Sequence, residues 1–246
     1  MRYLILLFLF LTSTLQGTIT RVQVATGNVG TTNKATFGVT VSALTAGNYL
    51  VVALGAATPK KFKITVTGAF DLVGGGVGQG ANTTGSYTDI YLYKINVGGA
   101  TTVTVATIDA LTTVYAVVVA EYSGTNLIAD IWSANTSSGS TLTTGGATPS
   151  VANSLELGGF CAAGTLATVQ TAWATTPTNS FTIIGQTSSN LNTAGNDRAV
   201  ALTEKILTST SALGSGITNA NGSSQWSATM VALREIPQVN RNTSGD

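Results

Sequence analysis

The chain has 246 residues, 43% of them hydrophobic and only 9% charged, which is enough apolar material to fill a core. Its 28 glycines and 4 prolines, set among many Thr, Ser and Asn residues, suit short strands and tight turns better than helices. Lys plus Arg 11 against Asp plus Glu 10 leaves a formal charge of +1, too weak a field to draw in a phosphate backbone, so nucleic acid is not an expected partner. With no histidine, Ser-His, Cys-His and His-metal mechanisms are all excluded.

Met1 and Arg2 precede an apolar run, Tyr3 to Leu11, which passes through Thr12, Ser13 and Thr14 to Leu15, Gln16 and Gly17. A charged start, a short hydrophobic stretch and a small residue are the parts of a secretory signal, with cleavage expected after Gly17. At about 1.5 Å per residue the run covers about half of a ~30 Å hydrocarbon core, so no stable membrane span is expected. Residues 1–17 are therefore expected to be a signal peptide, 18–236 a β-sandwich domain and 237–246 a flexible polar tail. The expected location is secreted or at the cell surface. Cys161 lies in the apolar stretch Ser154–Ala163, and a lone buried thiol is expected to be inert core.

Stretches rich in Val, Ile, Thr and Tyr alternate with Gly, Asn and Ser punctuation along the chain. Strands are predicted at Thr18–Ala25, Ala35–Ser42, Tyr49–Ala56, Phe62–Thr67, Tyr87–Ile95 and Thr101–Thr107. They continue at Val114–Tyr122, Ile128–Asn135, Ser154–Ala163, Phe181–Thr187, Arg198–Leu207 and Ser224–Glu235. Val103 and Val105 alternate with Thr102 and Thr104, the pattern of a half-buried strand. Val114–Tyr122 is apolar on both faces and is expected to be central and covered on each side. Long neutral loops are predicted at Gly74–Gly85, Ser137–Ala147, Thr165–Asn179, Ser188–Asp197 and Thr208–Ser223. The fold class is all-β, a single two-sheet sandwich. A weak similarity of Leu50–Ala53 to Leu155–Gly159 hints at two half-sandwich units, without a fixed repeat period.

The pieces Ala46–Ala53, Ile64–Thr67, Ile90–Tyr93, Gly98–Val105, Ala120–Gly124 and Met230–Leu233, taken in order, cover nearly all of residues 18–235. Together they resemble a jelly-roll-type β-sandwich domain that recurs in bacterial surface proteins, secreted proteins and phage virion proteins. The resemblance implies a structural or adhesive module without catalysis and supplies no site residues. The sequence departs from the pattern at Gly68–Val73, where relatives carry an Asp-containing turn and Gly-Asn before the next strand, so loop-borne properties do not carry over.

The candidate constellations are sparse. Gly74 to Ala81 contains a Gly-x-Gly-x-x-Ala spacing, but it leads toward a strand rather than a phosphate-facing helix and is expected to be a flexible loop. Asp89, Glu121, Asp130 and Glu204 lie on predicted strands with nothing to pair them as a glycosidase acid and base. Glu121 shares a face with Val117 and Val119 and is expected to be buried in a structural pair with Lys94 or Arg198. Asn126 with Asp130, or Asn190, Asn192, Asn196 and Asp197, offer oxygen ligands for calcium, yet turn chemistry accounts for them better. Asn-x-Ser/Thr sequons begin at Asn82, Asn135, Asn221 and Asn242, the candidate glycosylation sites. Tyr87, Tyr91, Tyr93, Trp132, Trp173 and Trp226 are candidates for stacking on sugar, with core packing the stronger expectation.

No catalytic, cofactor-binding or metal residue is therefore expected, and no cofactor. The expected function is that of a non-enzymatic structural protein, a self-assembling subunit of an extracellular filament, sheath or surface layer. A phage virion fibre or decoration protein and a carbohydrate-binding module are the alternatives. The partners expected are copies of the same chain, as a homo-oligomer or polymer, with a glycan as a second candidate. Thr20, Val22 and Val24 are placed on one face of a first strand that exchange between subunits would use.

Overall fold

A computed structural model describes residues 18–57, 62–66, 70–82, 85–110, 112–164, 172–189 and 197–236. Residues 1–17, expected to be a signal peptide, residues 237–246, expected to be a flexible tail, and the calcium candidates Asn190, Asn192 and Asn196 lie outside the described residues. Every strand expected from the sequence forms. The first half holds β1 (Thr20–Asn28), β2 (Thr36–Thr40), β3 (Tyr49–Ala56), β4 (Phe62–Val66), β5 (Phe70–Asn82), β6 (Ser86–Ile95), β7 (Thr102–Thr107) and β8 (Tyr115–Ser123). The second half holds β9 (Leu127–Gly139), β10 (Thr141–Thr143), β11 (Leu155–Gly164), β12 (Ala174–Thr175), β13 (Thr182–Ser188), β14 (Asp197–Ile206), β15 (Gly216–Asn219) and β16 (Ser224–Glu235).

The chain is an all-β, antiparallel sandwich of jelly-roll type, built twice over. In the first half a five-stranded sheet of order β1-β8-β3-β6-β5 packs on a three-stranded sheet, β2-β7-β4. In the second half the orders are β9-β16-β11-β14-β13 and β10-β15-β12, the same arrangement when β1–β8 are matched in turn to β9–β16. First and last strands are neighbours in each half, as in a jelly roll. There are thus four sheets where the sequence reading counted two. The two five-stranded sheets stack face to face, with β1 against β13, β5 against β9 and β3 against β11. Exchanging the halves maps this set of contacts onto itself, so the molecule has a pseudo-two-fold axis and its central interface is isologous within one chain.

Alternation along the strands accounts for the layers. Odd residues of β8 such as Val117 and Val119 join Leu50, Leu54, Val103 and Val105 inside the first sandwich. Even residues such as Val118 and Ala120 join Val51, Leu92, Leu157, Val200 and Val231 between the two sandwiches. β8 is therefore central and buried on both faces, flanked by β1 and β3. Phe160, Trp173, Ile217 and Trp226 fill the second sandwich. The predicted Gly74–Gly85 loop is instead part of β5, hydrogen-bonded to β6 with register shifts between Leu72 and Gly76 and between Gly76 and Gly78. The stretch leads into β6, a strand, and not into a helix whose N-terminus could face a phosphate. β10, β12 and β15 likewise occupy stretches expected to be loops.

The halves meet closely at Gly185, where a Cβ would lie 2.7 Å from a methyl of Val118 and 3.0 Å from one of Val24. Gly185→Val is expected to destabilise the protein by about 1–3 kcal/mol through overpacking, read as a lower midpoint in denaturant melts.

Candidate functional site

Several of the charged side chains hold the structure together locally through partners of their own. Glu204 on β14 reaches across the central interface to Arg21 on β1 and accepts a hydrogen bond from the Tyr122 hydroxyl at 2.7 Å. Asp130 on β9 takes the Arg234 guanidinium at 3.1 Å and both the amide and hydroxyl of Ser150, at 2.5 and 2.7 Å. Burial works against its charge, but the Ser150 and Arg234 bonds outweigh that and hold its carboxyl below the ordinary range. Asp89 is buried beside the Tyr87 hydroxyl at 3.1 Å.

Glu121 is buried, as expected, but its partners are neither Lys94 nor Arg198. One carboxylate oxygen accepts from the Thr45 amide at 3.0 Å and from Asn48 Nδ2 at 2.6 Å; the other accepts from Gln23 Nε2 at 2.6 Å. Lys94 lies over the Tyr49 ring, 6.0 Å from its centroid. Arg198 donates across the interface to the Gly85 carbonyl at 2.7 Å and to the Asp197 carbonyl at 2.7 Å. Among the described residues, no group of three or more His, Cys, Asp or Glu side chains is arranged to hold a metal ion. Asn126 occupies a left-handed turn at φ 49°, the local role that Asn favours.

Cys161 is fully buried between the sandwiches, and burial pushes its thiol up to about 11, which leaves too little thiolate near neutrality for nucleophilic chemistry. Of the aromatics considered for sugar stacking, Tyr87, Tyr91, Tyr93, Trp173 and Trp226 are buried in the two sandwiches. Tyr91 and Tyr93 stack on each other with centroids 6.3 Å apart. Trp132 on β9 is 55% exposed. The sequon residues Asn135 and Asn221 are exposed, on β9 and in the β15–β16 turn.

β1 pairs with β8 of its own chain throughout Thr20–Asn28. A bulge between Arg21 and Gln23 shifts the alternation, so Thr20, Val22 and Val24 do not share a face. Val24 packs into the central interface, whereas Val22 is 49% exposed.

Two places stand out from this survey. One is a cleft of about 440 Å³ where the halves meet, lined by Ile19, Arg21, Tyr122, Leu155, Glu204 and Lys205. Its carboxylate is already committed to Arg21 and Tyr122. The other is Glu156 on β11, which sequence reasoning passed over. It is fully buried inside the second sandwich, and both carboxylate oxygens lack a hydrogen-bond partner. Burial pushes its carboxyl up to about 7, with the positive charge of Lys205 opposing the shift. Neither place brings a nucleophile, an acid and a base within reach of one reacting atom. Among the described residues, no helix is long and apolar enough to cross a membrane. Comparisons with protein-family models, with curated proteins and with solved structures find no match.

Proposed function

We propose that the protein is a non-enzymatic structural subunit that assembles with copies of itself into an extracellular filament, sheath or surface layer. The observation that carries this reading is the disposition of its polar groups. Arg21, Glu121, Asp130, Arg198 and Glu204 are all engaged in bonds that fasten strands or halves together. What the molecule presents outward includes long sheet edges of low charge, surfaces suited to repeated contact with like copies. The resemblance to sandwich domains of surface, secreted and virion proteins and the export-like start point the same way.

Size-exclusion chromatography and negative-stain microscopy of native material, with mass determination of the mature chain, test the reading. Regular assemblies built from a chain beginning near Thr18 are expected. A monodisperse monomer that shifts on glycan arrays would instead mark a carbohydrate-binding module. A hydrolytic activity abolished at Glu121 with melting unchanged would overturn the non-enzymatic part.

A further inference from the structure

Glu156 belongs to a row of side chains that crosses the inner sheet of the second sandwich. β11 sets it directly opposite Lys205 of β14 on one side and Ala232 of β16 on the other. Thr182 of β13 is paired with Glu204, so Phe181, just before it, falls level with Lys205. Residues directly opposite in an antiparallel pair have Cβ atoms about 5 Å apart, within easy reach of an ion pair between Glu156 and Lys205. No such pair is formed. The Lys205 ammonium turns the other way, donating to the Asn179 carbonyl at 2.7 Å and sitting 6.0 Å from the Phe181 ring centroid. Both oxygens of the fully buried Glu156 stay without a hydrogen-bond partner. A lysine that leaves a neighbouring buried carboxyl for a neutral carbonyl fits a carboxyl that carries its proton.

What Lys205 holds is a strained segment. Thr176, Asn179 and Ser180 have φ of 50°, 55° and 59°, left-handed conformations that a residue such as β-branched Thr176 adopts only where its surroundings impose them. Residues 175–180 are exposed, whereas Phe181 is buried with Ala147, Met230 and the partly buried Leu213. The segment is also pinned toward β15, by the Thr178 amide on the Gly216 carbonyl at 3.0 Å and by Asn179 Nδ2 on the Gly214 carbonyl at 2.7 Å. Of the charged groups around Glu156, Lys205 comes from β14. On the β16 side Arg234 lies two residues beyond Ala232 and is committed to Asp130 of β9 at 3.1 Å. The stretches 140–154, 174–181 and 207–223, which supply the outer sheet and its connections, contain no ionisable side chain.

We infer that Glu156, Lys205 and Asn179 form a latch worked by pH: with Glu156 protonated, Lys205 holds residues 176–181 closed through Asn179, and when Glu156 ionises Lys205 turns to it and the segment opens. A buried carboxylate without partners is costly, and Lys205 is the cation beside it, so ionisation draws the ammonium off the carbonyl. Loss of that tether leaves strained backbone to the Thr178 and Asn179 bonds, and opening admits water to the carboxylate. The closed form binds the Glu156 proton more tightly than the open one, so opening is favoured as pH rises. Burial holds the carboxyl near 7 in the closed form, which places the change between about pH 6 and 8. The latch is internal to one subunit and does not depend on assembly.

Hydrogen exchange read by mass spectrometry tests this on the full chain at pH 5, 6, 7 and 8, each rate being divided by the intrinsic rate at that pH. Peptides covering residues 176–181 report the latch, and the buried central strand β8 is the internal reference. The expected result is that wild-type protection of 176–181 falls about tenfold between pH 6 and 8 while β8 keeps its protection. In Glu156→Gln the segment should stay protected throughout. In Lys205→Met it should already exchange faster at pH 6, because the tether is gone whatever the state of Glu156. Circular dichroism confirms that each variant is folded, and the wild-type series stands as a test without them. Segment protection that does not change with pH, or that changes equally in β8 or in Glu156→Gln, would overturn the latch. Full protection of the segment in a folded Lys205→Met at pH 6 would overturn it too.

Discussion

Stability of the wild-type protein is expected to fall as pH rises from about 4.5 to about 7, and Glu156→Gln is expected to abolish that slope. The Glu156 carboxyl titrates near its ordinary 4.5 in the unfolded chain and near 7 in the fold. Between those values the folded state binds more protons than the unfolded one, so stability declines with pH. The stabilisation is fully present below the unfolded value and is lost by the time pH passes the folded one. At 1.36 kcal/mol per pH unit the loss approaches about 3 kcal/mol. For a chain of this size that is roughly 6–12 °C in Tm. Denaturant melts of wild type and Glu156→Gln at pH 5, 6, 7 and 8 isolate this group from the others. The curves should be close at pH 5 and separate progressively, with the variant more stable at pH 8. Parallel curves across the series would mean that the carboxylate finds water or a partner in the folded state. Glu156→Leu should also be stabilising at pH 8, because the equivalent position of the first sandwich holds Leu50 in its apolar core.

Why Glu156 escaped notice in the sequence is instructive. Leu155 and Leu157 flank it on one face of the strand, and Phe160 and Ala162 follow it on its own face, so the stretch reads as apolar and a single acid within it draws no attention. A second sheet covers the face that Glu156 shares. Alternation reports which residues share a face but not whether a further layer lies over it. The same limit hid the tandem architecture. Val114–Tyr122 was legible as a central strand because its apolar residues occupy both faces, and Val103 and Val105 were legible because Thr residues separate them. β10, β12 and β15, at three, two and four residues, are too short to carry a period. β5 is rich in glycine, and its ladder depends on the neighbouring β6 rather than on its own side chains.

The duplication shows faintly in sequence at β3 and β11, because equivalence of the halves resides in strand order and facing rather than in residue identity. Where β3 and β8 bring Leu50 opposite Glu121, β11 and β16 bring Glu156 opposite Ala232. Each half thus holds one buried carboxylate at the corresponding place, but on different strands. In the first half the segment before β3 turns Thr45 and Asn48 toward it. In the second, Ser154 just before β11 spends its hydroxyl on the Val151 carbonyl at 2.7 Å instead. Hydrogen bonds of this kind depend on loop geometry, which is why a charged partner for Glu121 was the natural expectation and three neutral donors were the outcome.

The contrast between the two carboxylates gives opposite signs for the same substitution. Glu121→Gln is expected to destabilise the protein, by about 2 kcal/mol, where Glu156→Gln stabilises it at pH 8. Glu121 accepts from Thr45, Asn48 and Gln23, which tie the β1 edge and the segment preceding β3 to β8. A carboxylate offers acceptors on both oxygens, so all three donors are met. An amide in its place keeps one oxygen and turns an NH₂ group toward at least one donor. The loss is that of a charge-assisted bond, with a buried donor left unmet. Glu121→Ala should cost more, about 3 kcal/mol, because it removes every acceptor and leaves a cavity beside Leu50. Gln23→Leu separates the contributions, since it frees one carboxylate oxygen and also breaks the two bonds of Gln23 to the Ser42 backbone. Melting of the three variants at pH 8, with protease susceptibility of the segment before β3 as a local readout, checks the ordering. If Glu121→Gln melted with the wild type while that segment stayed protected, the three donors would have to be satisfied from elsewhere, and the carboxylate would not be what fastens β1 and β3 to the end of β8.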